Sequence, residues 1–172
     1  GGAPTPVTAF LSVASKTAGF VAILSLIYVG FAGQADIIRP FIFIIAVLTM
    51  TVGNVIALRQ TNVVRLFAYS SVAQAGFILA PLAVFGESPR SSRDALIAVV
   101  TYVIIYTVVN LGAFAVVLAV ARKTRSGDLD SFGGLFSYAP GLAVAMTIFL
   151  FSLAGIPPTA GFIGKLYVFM SA

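Results

Sequence analysis

The stretch Ser152-Leu153-Ala154-Gly155-Ile156-Pro157-Pro158-Thr159-Ala160-Gly161-Phe162-Ile163-Gly164-Lys165 sets two prolines, three glycines and a lysine inside an apolar run that covers about 138–172. About 20 residues cross a hydrocarbon layer of about 30 Å, so this run is too long for one straight crossing. Pro157 and Pro158 lack amide donors and disfavour helix at the residue before them. The run therefore predicts a helix broken near 155–161, with Gly155, Pro157, Pro158 and Gly161 forming the break. Irregular backbone at membrane depth is tolerated only where it is buried in protein or lines a wet cavity, and broken helices mark transport sites in many transporters. The plainer alternative is a proline kink, or a helix ending at Pro157 with a re-entrant stretch after it.

Membrane depth is implied by the rest of the chain. Its 172 residues are 60% hydrophobic and 9% charged, with a mean hydropathy of +1.09. Soluble domains are roughly 45–50% apolar and about 25% charged, so lipid is the solvent for most of this chain. Four further apolar runs of crossing length lie at about 7–31, 37–58, 63–85 and 94–121. Short connections between them carry Asp36 and Arg39, then Arg59 and Arg65, then Glu87, Arg90, Arg93 and Asp94, then Arg122 through Asp130. The alternating segments of about ten residues that build a β-barrel are missing, which leaves helices as the way to satisfy the backbone in lipid. The fold class expected is an all-α integral membrane bundle of five crossings in one domain over 1–172, with the last crossing broken. No charged n-region precedes a short apolar segment and cleavage site, so no signal peptide is expected. Because the chain starts at Gly1 and stops within an apolar run at Ala172, it reads as an internal segment of a longer protein. Any inverted repeat would need a partner unit outside these residues.

The sequence contains no Cys and no His. Disulfides, thiolate-held iron–sulfur clusters, His-held haem and ordinary zinc sites are thereby excluded from this segment, and no metal site is expected. The net charge of +5 sits in short clusters between apolar runs and not on one basic face. It marks membrane-flanking cations, not nucleic-acid binding. If the runs alternate in direction, Arg59, Arg65, Arg122, Lys123 and Arg125 share one side, and Arg39, Arg90 and Arg93 the other. The larger cationic set assigns the first side to the cytoplasm.

Two cations fall inside apolar runs, Lys16 and Lys165. Lys16 lies nine residues after Val7, or about 14 Å along a helix, near mid-membrane. A charge there costs at least about 2.5–3.5 kcal/mol, so such residues face a bundle interior or a hydrated cavity. The competing reading is a helix-end lysine that reaches the headgroups by its flexible stem. Against that reading, Thr8, Ser12 and Lys16 recur at a spacing of four, and Gly19 continues the same face. Such a polar, small-residue stripe turns toward other helices. An amine held there can gain and lose a proton, which suits it to carry one. Two more stripes lie between the lysines: Tyr102, Tyr106 and Asn110 at successive spacings of four, and Ser70 with Gln74, flanked by Tyr69 and Ser71. Polar side chains of this kind either bond neighbouring helices, at roughly 0.6 kcal/mol apiece, or hold the waters of a proton path.

The motifs that carry a family resemblance run almost end to end. They are Gly2-Ala3-Pro4-Thr5-Pro6-Val7-Thr8-Ala9-Phe10-Leu11 leading to Ser15-Lys16, residues 62–76 (NVVRLFAYSSVAQAG), Asn110-Leu111-Gly112-Ala113-Phe114, and residues 152–168 (SLAGIPPTAGFIGKLYV). Together they closely resemble the antiporter-like membrane subunits of respiratory complex I, the NADH-quinone oxidoreductase, and within them the chain-N group. The resemblance implies one half of an inverted-repeat subunit, covering roughly the eighth to the twelfth helix. Lys16 matches the family's central lysine on the eighth helix, and Lys165 the lysine of the broken twelfth helix. The partner Lys and Glu of the preceding unit would lie upstream of Gly1.

What this implies is a proton-translocating subunit of an NADH:quinone oxidoreductase. Lys16 and Lys165 would carry protons, Ser12, Ser70, Gln74, Tyr102, Tyr106 and Asn110 would support the path, and quinone reduction elsewhere would drive it. Protons would leave toward the periplasmic side. The flavin, iron–sulfur clusters and quinone are expected on other subunits, with no cofactor on this chain. The partners expected are the other membrane subunits and lipid. The Ala-, Val- and Arg-rich composition points to a bacterial gene and thus to the bacterial cell (inner) membrane. Two positions depart from the pattern: Val64, where many relatives carry Lys, and Gln74, where His is common. A glutamine keeps the hydrogen bonding but cannot titrate near neutral pH. Two other readings compete: a subunit of a free-standing multi-subunit cation/proton antiporter, and a passive membrane scaffold.

Overall fold

The computed structural model describes residues 4–171. Gly2 and Ala3 of the first motif, and Ala172 at the end of the fifth run, lie outside the described residues. Helix α1 (Thr5–Ser25) continues through a π-helical turn, Leu26–Gly30. Helix α2 is Ala35–Ala57, and α3 (Val63–Leu79) continues through a 3₁₀ turn, Ala80–Val84. Helix α4 is Pro89–Thr124. A 3₁₀ turn, Leu129–Phe132, and the short α5 (Leu135–Tyr138) lead to α6 (Pro140–Ala154) and α7 (Ala160–Ser171).

Among the described residues four helical stretches, of 26, 23, 22 and 36 residues, are long and apolar enough to cross a membrane. Helices α6 and α7 are apolar but hold only 15 and 12 residues. At about 1.5 Å per residue they reach roughly 22 and 18 Å, so neither alone spans a layer of about 30 Å. The fold is an all-α, multi-pass membrane bundle whose last crossing is interrupted.

Helix ends account for where the structure departs from a reading based on charge. Arg90, Arg93 and Asp94, placed in a loop by the charge pattern, form the first turns of α4. The Ser88 hydroxyl accepts from the Ser91 amide at 3.0 Å, the Ser91 hydroxyl accepts from the Ser88 amide at 2.9 Å, and Pro89 takes the first helical position. Such a cap starts a helix well before its apolar residues begin. At the other end Arg122 and Lys123 occupy the last turn of α4, where cations complement the helix dipole. Helix α4 is therefore about 54 Å long, and its charged ends extend past the hydrocarbon layer. Helix α3 starts on Asn62, whose side-chain oxygen accepts from the amides of Val64 and Arg65 at 3.1 and 3.3 Å.

The centre of the bundle is α4, which touches α1, α3, α6 and α7. Its buried row runs from Ala95 through Tyr102, Tyr106 and Asn110 to Phe114 and Val120. Helices α2 and α3 pack closely through the small buried residues Ala46 and Gly53 of one and Ala73 and Gly76 of the other. At the end rich in Arg and Lys, an isolated antiparallel bridge joins Asn62 to Asp128. The Val63 amide donates to Gly127 at 2.8 Å and the Leu129 amide to Thr61 at 2.9 Å, tying the loop after α2 to the loop after α4.

Candidate functional site

The break between α6 and α7 begins with a left-handed residue. Gly155 has φ 82°, a conformation that costs any other residue strain. The amides of Gly155 and Ile156 fold back onto the carbonyls of Ser152 and Phe151 at 3.1 and 3.0 Å. This pattern closes the helix and leaves its last carbonyls open. Those of Leu153 and Ala154 each accept from Lys165 Nζ at 2.9 Å. A cation at a helix C-terminus also meets the negative end of the helix dipole. The Phe77 ring adds a third contact, with its centroid 4.6 Å from the amine.

The opening of α7 is held by α6. The Ser152 hydroxyl accepts from the Gly161 amide at 3.0 Å. Gly161 comes so near that a Cβ there would overlap the Ser152 carbonyl. Pro157 and Pro158, joined by a cis peptide bond, are exposed in the connecting turn and stay out of the polar interior.

Lys16 reaches the same interior from α1. Its Nζ donates to the Ser71 carbonyl of α3, stands 3.5 Å from the Tyr106 hydroxyl and lies 4.9 Å from the centroid of that ring. One turn earlier the Ser12 hydroxyl accepts from Asn110 Nδ2 at 2.8 Å and donates to the Ala9 carbonyl at 2.7 Å. Across α4 and α3, the Tyr102 hydroxyl donates to Gln74 Oε1, and Gln74 Nε2 donates to the Leu153 carbonyl at 3.0 Å. Leu153 thus joins the glutamine to Lys165. Between the tyrosines and the break, Tyr102, Ile105, Tyr106, Ser152 and Gly161 help line a small cavity of about 10 Å³, roughly the room one water needs.

The polar residues singled out in the sequence thus converge, with one exception. Ser12, Lys16, Gln74, Tyr102, Tyr106, Asn110 and Lys165 lie in one row from α1 to the break. Ser70 stands beside this row and lines a cavity of about 360 Å³ with Asn54, Gln74, Leu153 and Lys165. A second polar cavity, about 480 Å³, opens at the Arg- and Lys-rich end between Thr5, Thr8, Asn62, Arg65, Arg125 and Ser126. Thr8 is two helical turns from Lys16, so this cavity ends at the head of the Thr8–Ser12–Lys16 stripe.

Among the described residues neither Lys16 nor Lys165 is paired with an acid. Among the described residues the ion pairs are Arg39 with Asp36 at 2.5 Å, Arg39 with Glu87 at 3.0 Å, and Arg90 with Asp94 at 3.7 Å, all at helix ends. Both lysines are held by carbonyl dipoles and aromatic faces. Sequence reasoning missed the carbonyl partners, Ser71, Leu153 and Ala154, and the capping hydroxyl of Ser152. A backbone carbonyl leaves no mark on residue identity. For Leu153 and Ala154 a signal did exist, since a helix ending in lipid exposes carbonyls that call for a donor.

Comparison with known proteins decides the family. Residues 1–172 match the family described as NADH:quinone oxidoreductase/Mrp antiporter, transmembrane. The chain belongs to this family. Relatives within it include NADH-quinone oxidoreductase subunit N of Trichlorobacter lovleyi, 48% identical over 172 residues, covering 99% of this chain and 34% of the relative. NADH-quinone oxidoreductase subunit N 2 of Solibacter usitatus is 45% identical over 171 residues, covering 99% and 34%. NADH-quinone oxidoreductase subunit N of Geobacillus kaustophilus is 43% identical over 179 residues, covering 98% and 35%. The chain spans about a third of the length of the curated relatives it matches. Membership of the NADH:quinone oxidoreductase/Mrp antiporter family bears out the resemblance read from the motifs.

Proposed function

We propose that this chain is the proton-carrying part of an N-type membrane subunit of a bacterial NADH-quinone oxidoreductase, with Lys16 and Lys165 as successive carriers. One observation carries the reading: two lysines at membrane depth are joined by a single polar row that ends on a broken helix. Burying an amine in lipid is costly, and a structural contact of the same size is available from neutral side chains. A group that changes charge gives the cost a purpose.

Among the described residues both lysines are held by neutral groups. Lys16 and Lys165 are held by carbonyls and rings, which carry no net charge in either state. Tyr106, Tyr102, Gln74 and the small water-sized cavity beside the tyrosines provide the intervening donors and acceptors, and the Ser12–Asn110 pair extends the row beyond Lys16. The cavity at Thr8 and Arg65 opens toward the side assigned to the cytoplasm and supplies protons to the Lys16 stripe. The driving reaction, reduction of quinone with electrons from NADH, takes place on other subunits, where the flavin, iron–sulfur clusters and quinone are bound. Those subunits and lipid are the partners, and the bacterial inner membrane is the location.

A free-standing cation/proton antiporter is the second reading, since the family description covers both kinds. The relatives reported above carry the oxidoreductase name, which favours the first. The test is proton translocation with NADH in membranes from cells whose full-length subunit carries Lys16→Ala with Lys165→Ala. Subunit content checks assembly. Loss of pumping together with loss of coupled quinone reduction supports the proposal; full pumping by the assembled double variant sinks it.

A further inference from the structure

The Leu153 carbonyl gives the row a direction. It accepts from Gln74 Nε2 at 3.0 Å and from Lys165 Nζ at 2.9 Å, so both of its lone pairs are engaged. A carbonyl only accepts, which turns the nitrogen of the Gln74 amide toward Leu153 and its oxygen toward Tyr102. That oxygen only accepts as well, so the Tyr102 hydroxyl must donate to it. The lone pairs of Tyr102 are left for the small cavity it shares with Tyr106. Gln74 and Tyr102 are 5% and 3% exposed, so bulk water does not compete for these bonds. A carboxamide does not bind or release a proton near neutral pH, and a proton therefore cannot pass through the side chain at position 74.

We propose that Gln74 is a positioning residue that transmits the charge state of Lys165 to the tyrosine pair beside Lys16 by fixing the polarity of the Tyr102–Gln74–Leu153 hydrogen bonds. The proposal rests on the proton-carrying role of the two lysines. While Lys165 holds its proton, the Leu153 carbonyl is divided between two donors. Once the proton leaves, the carbonyl accepts chiefly from Gln74, that bond strengthens, and the amide oxygen polarises the Tyr102 hydroxyl further. The two lysines are then coupled through hydrogen bonds that stay in place while protons move around them.

Two substitutions test this in the assembled complex. Gln74→Met keeps the size and removes both hydrogen bonds. It is expected to lower pumping and coupled quinone reduction by roughly tenfold or more with subunit content unchanged, the scale of two buried hydrogen bonds. Gln74→Glu keeps both bonds only when neutral, its hydroxyl donating to Leu153 and its carbonyl accepting from Tyr102. Ionised, it can only accept, faces the Leu153 carbonyl and pairs with Lys165. Among the described residues Tyr102 of α4 and Lys165 of α7 are the titratable groups facing this position, with Tyr106 and Lys16 one turn away, and α2 and α6 present none to it. Turnover of Gln74→Glu is therefore expected to fall with rising pH along a limb that neither wild type nor Gln74→Met shows. Wild-type pumping by Gln74→Met while Lys165→Ala is impaired overturns the role of Gln74 and leaves the lysines standing. Full pumping by Lys165→Ala overturns the underlying reading instead. If Gln74→Met does not assemble, Gln74→Glu decides alone, and a pH profile matching wild type overturns the proposal.

Discussion

The Lys16 amine of α1 stands 3.5 Å from the Tyr106 hydroxyl of α4 and 4.9 Å from the centroid of the same ring. The ring and the hydroxyl therefore act on the amine in different ways, one by its face and one by its oxygen. Tyr106→Phe separates them, since it keeps the ring and removes the oxygen. Assembly is expected to be unchanged, while proton pumping slows by about twofold to fivefold, a loss in keeping with one long hydrogen bond. Pumping at the wild-type rate would show that the hydroxyl takes no part in the transfer. Tyr106→Leu should do worse, because it also removes the aromatic face.

The break depends on two glycines for separate reasons, and each can be tried alone. Gly155→Ala puts a Cβ on a residue with φ 82°, and the new atom would lie 2.7 Å from Lys165 Cδ. Gly161→Ala drives a Cβ into the Ser152 carbonyl. Each is expected to destabilise by about 1–3 kcal/mol, the usual range for overpacking and for strained backbone. Thermal unfolding of the purified complex should show a lowered midpoint for both, and Gly161→Ala should also disturb the Ser152 cap. An unchanged midpoint in both variants would mean that α6 and α7 are free to separate without cost.

How much of this could be read in the sequence differs from part to part. The crossings were legible because lipid demands long apolar runs, and the break because two prolines and a glycine cannot continue a helix. The spacing of four among Thr8, Ser12 and Lys16, and among Tyr102, Tyr106 and Asn110, was enough to place each set on one face. What the spacing could not show is which faces meet. The Ser12–Asn110 and Tyr102–Gln74 bonds link residues 98 and 28 positions apart. Such pairings follow from how α1, α3 and α4 pack. The ends of α4 are not legible from charge, because the Ser88 cap and the helix dipole keep Arg90, Arg93, Arg122 and Lys123 helical where a charge cluster alone marks a loop.

Orientation is open to direct measurement. The chain has no native cysteine, so an introduced one is unique within it. Arg59→Cys, at the end with more cations, is expected to react with a membrane-impermeant maleimide only in inverted vesicles. Gly33→Cys, in the turn at the opposite end, should react only from the periplasmic face. Labelling of Arg59→Cys in right-side-out vesicles would reverse the assignment and place the Thr8–Arg65 cavity on the exit side.

The lysines themselves carry the sharpest test, because a carrier and a structural cation answer differently to arginine. A carrier must lose its proton in every cycle, and a guanidinium does not do so at accessible pH. Lys16→Arg and Lys165→Arg are thus expected to pump poorly even where the complex assembles, and no better than the corresponding Ala variants. The coupled quinone reductase should fall with them, by roughly tenfold or more, since a blocked proton step holds back the reaction that drives it. A structural lysine predicts the opposite order, with Ala impairing assembly and Arg restoring it. The geometry adds a difference between the two sites. Lys165 is held by two carbonyls at a helix end, a seat that a guanidinium with several donors can also fill. Lys165→Arg should therefore keep the stability of the break while losing transport. Among the described residues Lys16 meets the Ser71 carbonyl and Tyr106, and the longer side chain must displace one of them, so Lys16→Arg should lose some stability as well. Thermal unfolding and proton translocation measured on the same preparations separate the two effects. Wild-type pumping by either arginine variant would show that the lysine at that position does not need to release a proton.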